Sequence, residues 1–127
     1  MNCLLTAATA MEIKPFLDHY INSDKLNHID FHLDVAISGI GLTASAYHIS
    51  KQIHLKRPDI VIQAGVAGCY HTDVPLGEVF VVKQDTVADQ SVVELNQLKT
   101  MFDLKLVPLN QFPYKKGWLV NPGKEML

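Results

Sequence analysis

The chain has 127 residues, of which 48% are hydrophobic and 19% are charged, and its formal net charge is −2. This length and composition are typical of one globular domain with enough apolar side chains for a core. The near-neutral charge and the single arginine, Arg57, argue against binding to nucleic acid or to an anionic membrane. No apolar run approaches the roughly 20 residues of a membrane span.

Cysteine content and the N-terminal residues predict the compartment. Cys3 and Cys69 are not in a paired spacing, which favours two buried thiols in a reducing environment. The first residues lack the basic region and cleavage site of a signal peptide. We therefore expect a cytoplasmic protein.

The first half of the chain alternates between strand and helix patterns. Thr9-x-x-Glu12 has the form of a helix capping box, and the helix it begins runs toward His19, although Pro15 is unfavourable in a helix interior. A second helix is predicted over Leu42–Leu55, before Pro58. The predicted strands are three buried ones, Cys3–Ala7, Asp34–Ser38 and Ile60–Ala64, and a half-exposed one, Ile29–Leu33, which follows a polar turn over Asn22–Asn27.

The second half has weaker patterns. Glu78–Val87 alternates as a long strand does, Val93–Phe102 is compatible with a helix, and Leu104–Val107 with a strand. Strands that alternate with helices, several of them continuously apolar, predict an α/β fold with a largely parallel central sheet. We expect residues 1–127 to form a single α/β domain. The end at Leu127 follows no closing element, which predicts the N-terminal part of a longer domain.

Two glycine-containing segments follow predicted strands and are the most informative feature for function. Ser38-Gly39-Ile40-Gly41 follows the second buried strand, and Gly65-Val66-Ala67-Gly68 follows the third. Glycine permits sharp turns and lets a ligand approach main-chain N–H groups. Because ligands of open α/β sheets bind outside the carboxyl ends of the strands, these segments predict two walls of a binding crevice.

Four segments, in this order and spacing, resemble the nucleoside phosphorylase/nucleosidase superfamily. They are Ala7–Glu12, Ser38–Gly41 with the alanine-rich Ala44–Ala46, Gly65–Gly68, and Leu76–Val82, within roughly residues 3 to 90. Within the superfamily the chain is most similar to futalosine hydrolase and to methylthioadenosine/S-adenosylhomocysteine nucleosidase. The opening Leu5–Leu17 and the segment Gly117–Pro122 favour futalosine hydrolase, an enzyme of menaquinone biosynthesis.

The resemblance implies a three-layer phosphorylase-like fold with a mixed, largely parallel central sheet, hydrolysis of the N-glycosidic bond of a purine nucleoside, and roles for individual residues. Glu12 would be the catalytic residue that positions and deprotonates the attacking water. The substrate-binding residues would be Ala8, Thr9 and Ile40, which line the sugar and base pocket, and Val66, Ala67 and Gly68, which contact the nucleoside through their backbone. No cofactor and no metal are implied, and the expected partners are the nucleoside and further copies of the chain in a homo-oligomer.

The chain also departs from the family. The Met-Glu segment that grips the ribose and the Ser-Asp whose aspartate protonates the purine have no counterpart here, and Glu125 lies in a different context. The resemblance therefore implies that a chain ending at Leu127 is a truncated and largely inactive form of the enzyme.

Several alternatives stay open. Glu12 is also explained by its capping box alone, and the two roles can coexist. A phosphorylase would need to hold an anion, usually with arginine, and Arg57 is distant from both glycine segments in the pattern, which favours water as the nucleophile. A methylthioadenosine/S-adenosylhomocysteine nucleosidase, a purine nucleoside phosphorylase and a non-catalytic nucleoside-binding fragment are the alternatives.

Other polar residues are better explained by solvation than by a site. His28 and His32, and His48 and His54, have no cysteine or acidic cluster that would complete a zinc site. The acidic residues after the long predicted strand, and the loop residues after Gly68, are expected to be solvated; they are Asp85, Asp89 and Glu94, and His71 and Asp73.

Overall fold

The computed structural model describes residues 1–21 and 31–125, in two compact units, Met1–His71 and Thr72–Leu127. The elements of the first unit are β1 (Asn2–Ala7), α1 (Ala10–Ile21), β2 (His32–Ile37), α2 (Leu42–Leu55) and β3 (Ile60–Gln63). The elements of the second are β4 (Gln84–Asp85), β5 (Ser91–Glu94), β6 (Gln97–Thr100), β7 (Tyr114–Lys115), β8 (Trp118–Val120) and a 3₁₀ helix, Pro122–Glu125.

The first unit is built on a parallel sheet of three strands in the order β2-β1-β3. Leu5 of β1 pairs with Val35 of β2 on one side and with Ile62 of β3 on the other. The chain crosses β1 between β2 and β3, so the strand order reverses between β1 and β3. The predicted α/β class and parallel pairing are confirmed, and the three-layer phosphorylase-like architecture stays a prediction.

The core of this unit lies between β1 and α1. Leu5 and Ala7 are buried together with Ile13, and Leu17, Leu33 and Ala64 pack against this cluster. Alternation along β1 puts Leu5 and Ala7 on one face, and the i, i+4 spacing puts Ile13 and Leu17 on one side of α1. Burial of each large aliphatic side chain contributes roughly 1.5–3 kcal/mol. Helix α1 thus holds its first turn against the end of β1.

Glycine and proline signals set the helix boundaries correctly. Helix α2 spans the predicted Leu42–Leu55, with Gly41 at its N-cap and Pro58 beyond its end. Helix α1 begins right after Thr9, as the capping box predicts, and it includes Pro15. Because proline lacks an N–H, the Met11 carbonyl lacks its usual helical donor. Met11 is 85% exposed, so it lies open to solvent.

The amino end of the sheet is held by charged side chains. Lys56 Nζ lies 2.6 Å from Asp34 Oδ2, and His32 Nε2 lies 3.0 Å from Asp34 Oδ1. The main-chain N–H of Asn2 donates to Asp59 Oδ2 at 2.6 Å. A cavity of about 140 Å³ at this end is lined by Leu4, Asp34, Val35, Gln52, Lys56 and Pro58. These contacts join β1, β2, α2 and the start of β3.

Two of the three predicted buried strands are only partly buried. Strand β1 is buried from Cys3 to Ala7, whereas Val61 and Ile62 of β3 are 43% and 45% exposed. Strand β2 covers His32–Ile37 and buries only Ala36. The difference follows from the strand order, because only β1 has a neighbour on each side. The predicted half-exposed strand lies partly, and the turn over Asn22–Asn27 entirely, outside the described residues.

The long strand predicted over Glu78–Val87 is wrong in extent. Only Gln84–Asp85 forms a strand, paired with β8, and Val79 and Phe80 are 90% and 63% exposed. An alternating pattern favours a strand, but ladder pairing requires a partner, and the sequence pattern does not supply one. The antiparallel sheet of this unit has the order β4-β8-β7.

Two further predictions for the second unit are wrong. The helix predicted over Val93–Phe102 is a hairpin, in which β5 pairs with β6 through Leu95 and Asn96, with φ values of 49° and 62°. Such a two-residue loop matches the twist of antiparallel strands. Residues 104–107, predicted as a strand, form turns, with Lys105 at φ 56°.

The prediction that both cysteines of the first unit are buried is half right. Cys3 is buried, but Cys69 is exposed.

Candidate functional site

The ends of the three parallel strands are tied together. The Ser38 N–H donates to the Ala7 carbonyl at 2.8 Å, and the Ala64 N–H donates to the Thr6 carbonyl at 2.9 Å. The loops that leave β1, β2 and β3 therefore start at one edge. We call this edge, formed by Ala8–Thr9, Ser38–Gly41 and Ala64–Gly68, the carboxyl edge. In open α/β sheets this is where ligands bind.

Helix α1 places Glu12 at the carboxyl edge by capping its own N-terminus. Glu12 Oε2 accepts a hydrogen bond from the Thr9 N–H at 2.7 Å and one from Thr9 Oγ1 at 2.9 Å. The first bond is half of a capping box. The Thr9 hydroxyl donates to the carboxylate as well, so one oxygen of Glu12 takes both donors. The predicted capping role of Glu12 is confirmed.

The other carboxylate oxygen of Glu12 faces the loop that follows β3. The Val66 N–H donates to Oε1 across 3.5 Å, at the outer limit of a hydrogen bond. A Cβ added to Gly65 would lie 3.2 Å from Oε1. Because a carboxylate oxygen accepts more than one hydrogen bond, Oε1 retains capacity for a further donor such as water. The contact joins the first turn of α1 to the exit of β3, across the reversal of strand order.

Neutral donors keep Glu12 ionised. The Thr9 N–H, followed by the Thr9 hydroxyl, holds the pKa of Glu12 below its ordinary value. Desolvation opposes this effect, and the Val66 N–H lowers the pKa by less than desolvation raises it. Among the described residues, no lysine, arginine or histidine makes an ion pair with Glu12. At neutral pH Glu12 therefore carries a negative charge that no ion pair within residues 1–21 and 31–125 compensates.

Hydrogen bonds and a steric constraint fix the turn after β2. Ser38 is buried, and its Oγ lies 3.2 Å from the Ala7 carbonyl and 3.3 Å from Ser45 Oγ. Gly39 has a φ of 82°, and a Cβ there would lie 3.2 Å from Ala44 Cβ. Positive φ and this close approach both require glycine at position 39. The turn is thereby joined to β1 and to α2.

The structure connects some of the predicted site residues and not others. Glu12, Thr9 and Val66 share the hydrogen bonds just described. Thr9, predicted to line the pocket, donates to Glu12 from its N–H and its hydroxyl. Ala8 is half-buried, whereas Ile40, Ala67 and Gly68 are exposed on the loops of the carboxyl edge. The substrate contacts predicted for these residues stay predictions.

The segment Gly65–Gly68 differs from the predicted glycine turn. Neither glycine has a positive φ, unlike Gly39 and Gly41. Glycine at 65 instead leaves room for the Glu12 carboxylate, while a Cβ at Gly68 would meet nothing within 4 Å. Sequence reasoning missed this role of Gly65 because the contact joins residues far apart in the chain. It also missed the support from Ser45, whose hydroxyl gives no pattern of its own.

The remaining polar residues that the structure describes do not assemble into a metal site. Across residues 1–21 and 31–125, no three histidine, cysteine, aspartate or glutamate side chains come together as ligands. Glu94 accepts from Lys99, and Asp85 accepts from the Thr86 N–H. His28 lies outside the described residues.

Comparison with protein-family models, with curated proteins and with solved structures finds no match to this chain. In the part of the chain that the structure describes, no helix has both the length and the apolar character needed to cross a bilayer. The functional conclusion therefore depends on the geometry of the carboxyl edge and on the resemblance of its motifs.

Proposed function

We propose that the carboxyl edge binds a purine nucleoside and that Glu12 orients the water that hydrolyses its N-glycosidic bond. The observation that carries this proposal is the state of the Glu12 carboxylate. Two donors from Thr9 anchor Oε2, while Oε1 keeps an open acceptor position at the strand ends. The resemblance to futalosine hydrolase supplies the substrate class.

The chemistry fits a carboxylate of this kind. Cleavage of an N-glycosidic bond passes through a sugar with oxocarbenium character, and water must approach the anomeric carbon on the face opposite the base. Water that donates a hydrogen bond to Oε1 would have its oxygen lone pair directed away from Glu12, toward the sugar. The carboxylate accepts the proton as the new bond forms, and its negative charge stabilises the cationic sugar. The lowered pKa keeps Glu12 ionised, as orientation of the water and stabilisation of the cationic sugar require, and it also makes the carboxylate a weaker base.

Charge distribution favours water over phosphate as the nucleophile. The uncompensated charge of Glu12 repels a phosphate dianion. Arg57 follows α2 and adjoins Lys56, which binds Asp34 at the amino end of the sheet. Both cations therefore lie at the end opposite Glu12, because α2 returns the chain to the start of β3. A phosphorylase would need a cation beside the anion.

A riboside with a good leaving group tests the role of Glu12 directly. The resemblance assigns no residue of this chain to protonation of the purine, and p-nitrophenolate departs from a riboside without protonation. We expect the 127-residue chain to release p-nitrophenolate from p-nitrophenyl riboside without phosphate, and the Glu12→Gln variant to lose this activity. Glu94→Gln is the matched control, because it makes the same chemical change at an exposed glutamate paired with Lys99. Equal rates for the two variants would overturn the proposal.

Binding of the nucleoside is measured separately. Amide chemical shifts of the chain are followed during titration with inosine and, for comparison, with uridine. We expect inosine to shift the amides of Ala8, Thr9, Ile40 and Val66–Gly68, with a smaller effect of uridine. Binding without release of p-nitrophenolate would favour the alternative of a non-catalytic nucleoside-binding module. Shifts confined to the second unit would contradict both.

A further inference from the structure

Gly65 precedes Val66, whose N–H contacts the open oxygen of Glu12, and the space where a side chain of residue 65 would begin adjoins the same oxygen. An added Cβ would lie 3.2 Å from Oε1 and 3.8 Å from the carboxylate carbon, and no other heavy atom would be as close. The backbone of Gly65 does not lie in the left-handed region, so any residue could adopt its conformation. A side chain at position 65 would therefore displace the Glu12 carboxylate by a few tenths of an ångström, without a demand from the backbone of residue 65 itself.

We propose that Gly65 is a positioning residue, whose missing side chain determines where Glu12 Oε1 lies relative to the bound water. This inference depends on the proposed role of Glu12. Gly65 does not touch the reacting atoms. It acts by leaving free the volume that the carboxylate occupies between Thr9 and the Val66 N–H.

The hydrogen bonds of Glu12 determine which oxygen a side chain at position 65 would move. Oε2 has two short bonds to Thr9, whereas Oε1 has only the long bond to Val66. A methyl group at position 65 would therefore turn the carboxylate about Oε2 and push Oε1 away from Val66. Since the end of a glutamate side chain moves easily, the fold tolerates this displacement. Hydrolysis is expected to slow, because the water that attacks the sugar is oriented by Oε1.

The same loop provides a matched control. Gly65 and Gly68 are both exposed, and neither has a positive φ. A Cβ on Gly68 meets nothing within 4 Å, whereas a Cβ on Gly65 meets Glu12. Alanine at either position restricts the unfolded chain equally. Gly65→Ala and Gly68→Ala thus differ mainly in the contact with Glu12.

Two readouts test the proposal. We expect Gly65→Ala to raise the pKa of Glu12 toward its ordinary value, because the hydrogen bond from the Val66 N–H to Oε1 lengthens and the methyl group desolvates the carboxylate. This pKa is followed by NMR of the Glu12 carboxyl carbon. We expect release of p-nitrophenolate to fall roughly tenfold, since a misplacement of 1 Å can cost about 100-fold. Gly68→Ala should leave the pKa of Glu12 unchanged, because a Cβ there does not meet the carboxylate. If Gly65→Ala keeps the same Glu12 pKa as Gly68→Ala and the rate of the unaltered chain, the proposal is wrong.

The experiment separates this inference from the proposed function. If Glu12→Gln hydrolyses the riboside at the normal rate, the proposed function fails. The effect of Gly65 on the position of Glu12 is then tested by the pKa of Glu12 alone. Should Gly65→Ala unfold, the double variant with Glu12→Ala decides. It removes the carboxylate that the methyl group meets, so its Tm should equal that of Glu12→Ala alone. A double variant that stays unfolded would place the clash elsewhere and overturn the inference.

Discussion

The two ends of the parallel sheet each hold a carboxylate with a lowered pKa, by opposite means. At the amino end, the pKa of Asp34 is lowered first by its bond to Lys56 and then by His32. At the carboxyl edge, the pKa of Glu12 is lowered by the N–H and O–H groups of Thr9. Asp34 is thus neutralised by a cation, whereas Glu12 is held ionised by neutral groups.

This difference in partners distinguishes Asp34, whose charge supports the fold, from Glu12, whose charge is available for chemistry. An ion pair cancels its own field and stabilises the fold only modestly when it is exposed, and the side chains of Lys56 and Asp34 are 48% and 41% exposed. A carboxylate held by dipoles keeps its net charge and can act on a cationic transition state. A lowered pKa therefore indicates an ion pair at Asp34 and hydrogen bonds from neutral donors at Glu12. The two cases are distinguished by the partner of the carboxylate.

The largest expected effect comes from neutralising each carboxylate in turn. Glu12→Gln should lower the rate of riboside hydrolysis by about 100-fold or more, because a positioned base contributes roughly 10²–10⁴-fold. Asp34→Asn should leave this rate unchanged. The measurement is release of p-nitrophenolate by equal amounts of each folded variant. A comparable loss of rate in Asp34→Asn would contradict the conclusion that only the carboxylate at the carboxyl edge takes part in hydrolysis.

Removing the Thr9 hydroxyl should have an intermediate effect. Thr9→Val keeps the shape and the N–H but loses one of the two bonds to Oε2, so the pKa of Glu12 should rise and hydrolysis should fall roughly tenfold, the loss expected of one charge-assisted bond. Thr9→Ser retains the hydroxyl and is the control. The pKa is followed by NMR. Equal pKa values in the valine and serine variants would contradict the arrangement.

Acid titrations at low and high salt concentration distinguish the two carboxylates, because salt should change the pKa of Asp34 more than that of Glu12. Both folded pKa values are lower than the unfolded ones, so each ionised group stabilises the fold above its unfolded pKa, and this stabilisation disappears as the pH falls through the folded pKa. High salt screens the Lys56–Asp34 pair and should raise the pKa of Asp34. The pKa of Glu12 should change less. A larger change at Glu12 would reveal an ionic partner.

The smallest effect is expected from the cation at the amino end. Lys56→Met keeps much of the aliphatic stem but removes the charge, and it should lower the Tm by only about 2 °C, as for an exposed pair. The pKa of Asp34 should rise at the same time, and that of Glu12 should not change. Calorimetry and the same NMR titration provide the two values. A rise at both carboxylates would show that the two ends are electrostatically coupled.

Local signals in the sequence were sufficient to predict where both helices of the first unit begin. Gly41 and Pro58 bracket α2, and the spacing of Thr9 and Glu12 predicts the start of α1 and the bond between them. The approach of Gly65 to Glu12 was not predictable, because it depends on the pairing of β3 with β1. Sequence periodicity contains no information about such a register.

The second unit shows the same limit in another form. Val93–Phe102 contains enough apolar residues for a short helix, but Asn96 at positive φ closes a hairpin. Residues with such short polar side chains visit this region more readily than others. For Glu78–Val87, the alternation correctly indicated that a strand is present but not how long it is. The number of residues that become a strand depends on β8, which lies more than thirty residues later and pairs only with Gln84–Asp85.

The hydrogen bond between Val66 and Glu12 has a spectroscopic consequence. It joins residues 54 positions apart, and its donor is a main-chain amide on an exposed loop. When Glu12 takes up a proton, the carboxylate loses its charge and its hold on that amide weakens. The Val66 resonance and its hydrogen-exchange rate should therefore follow the protonation of Glu12. The fold thus contains its own reporter, through which the charge of the candidate base can be observed without any substrate.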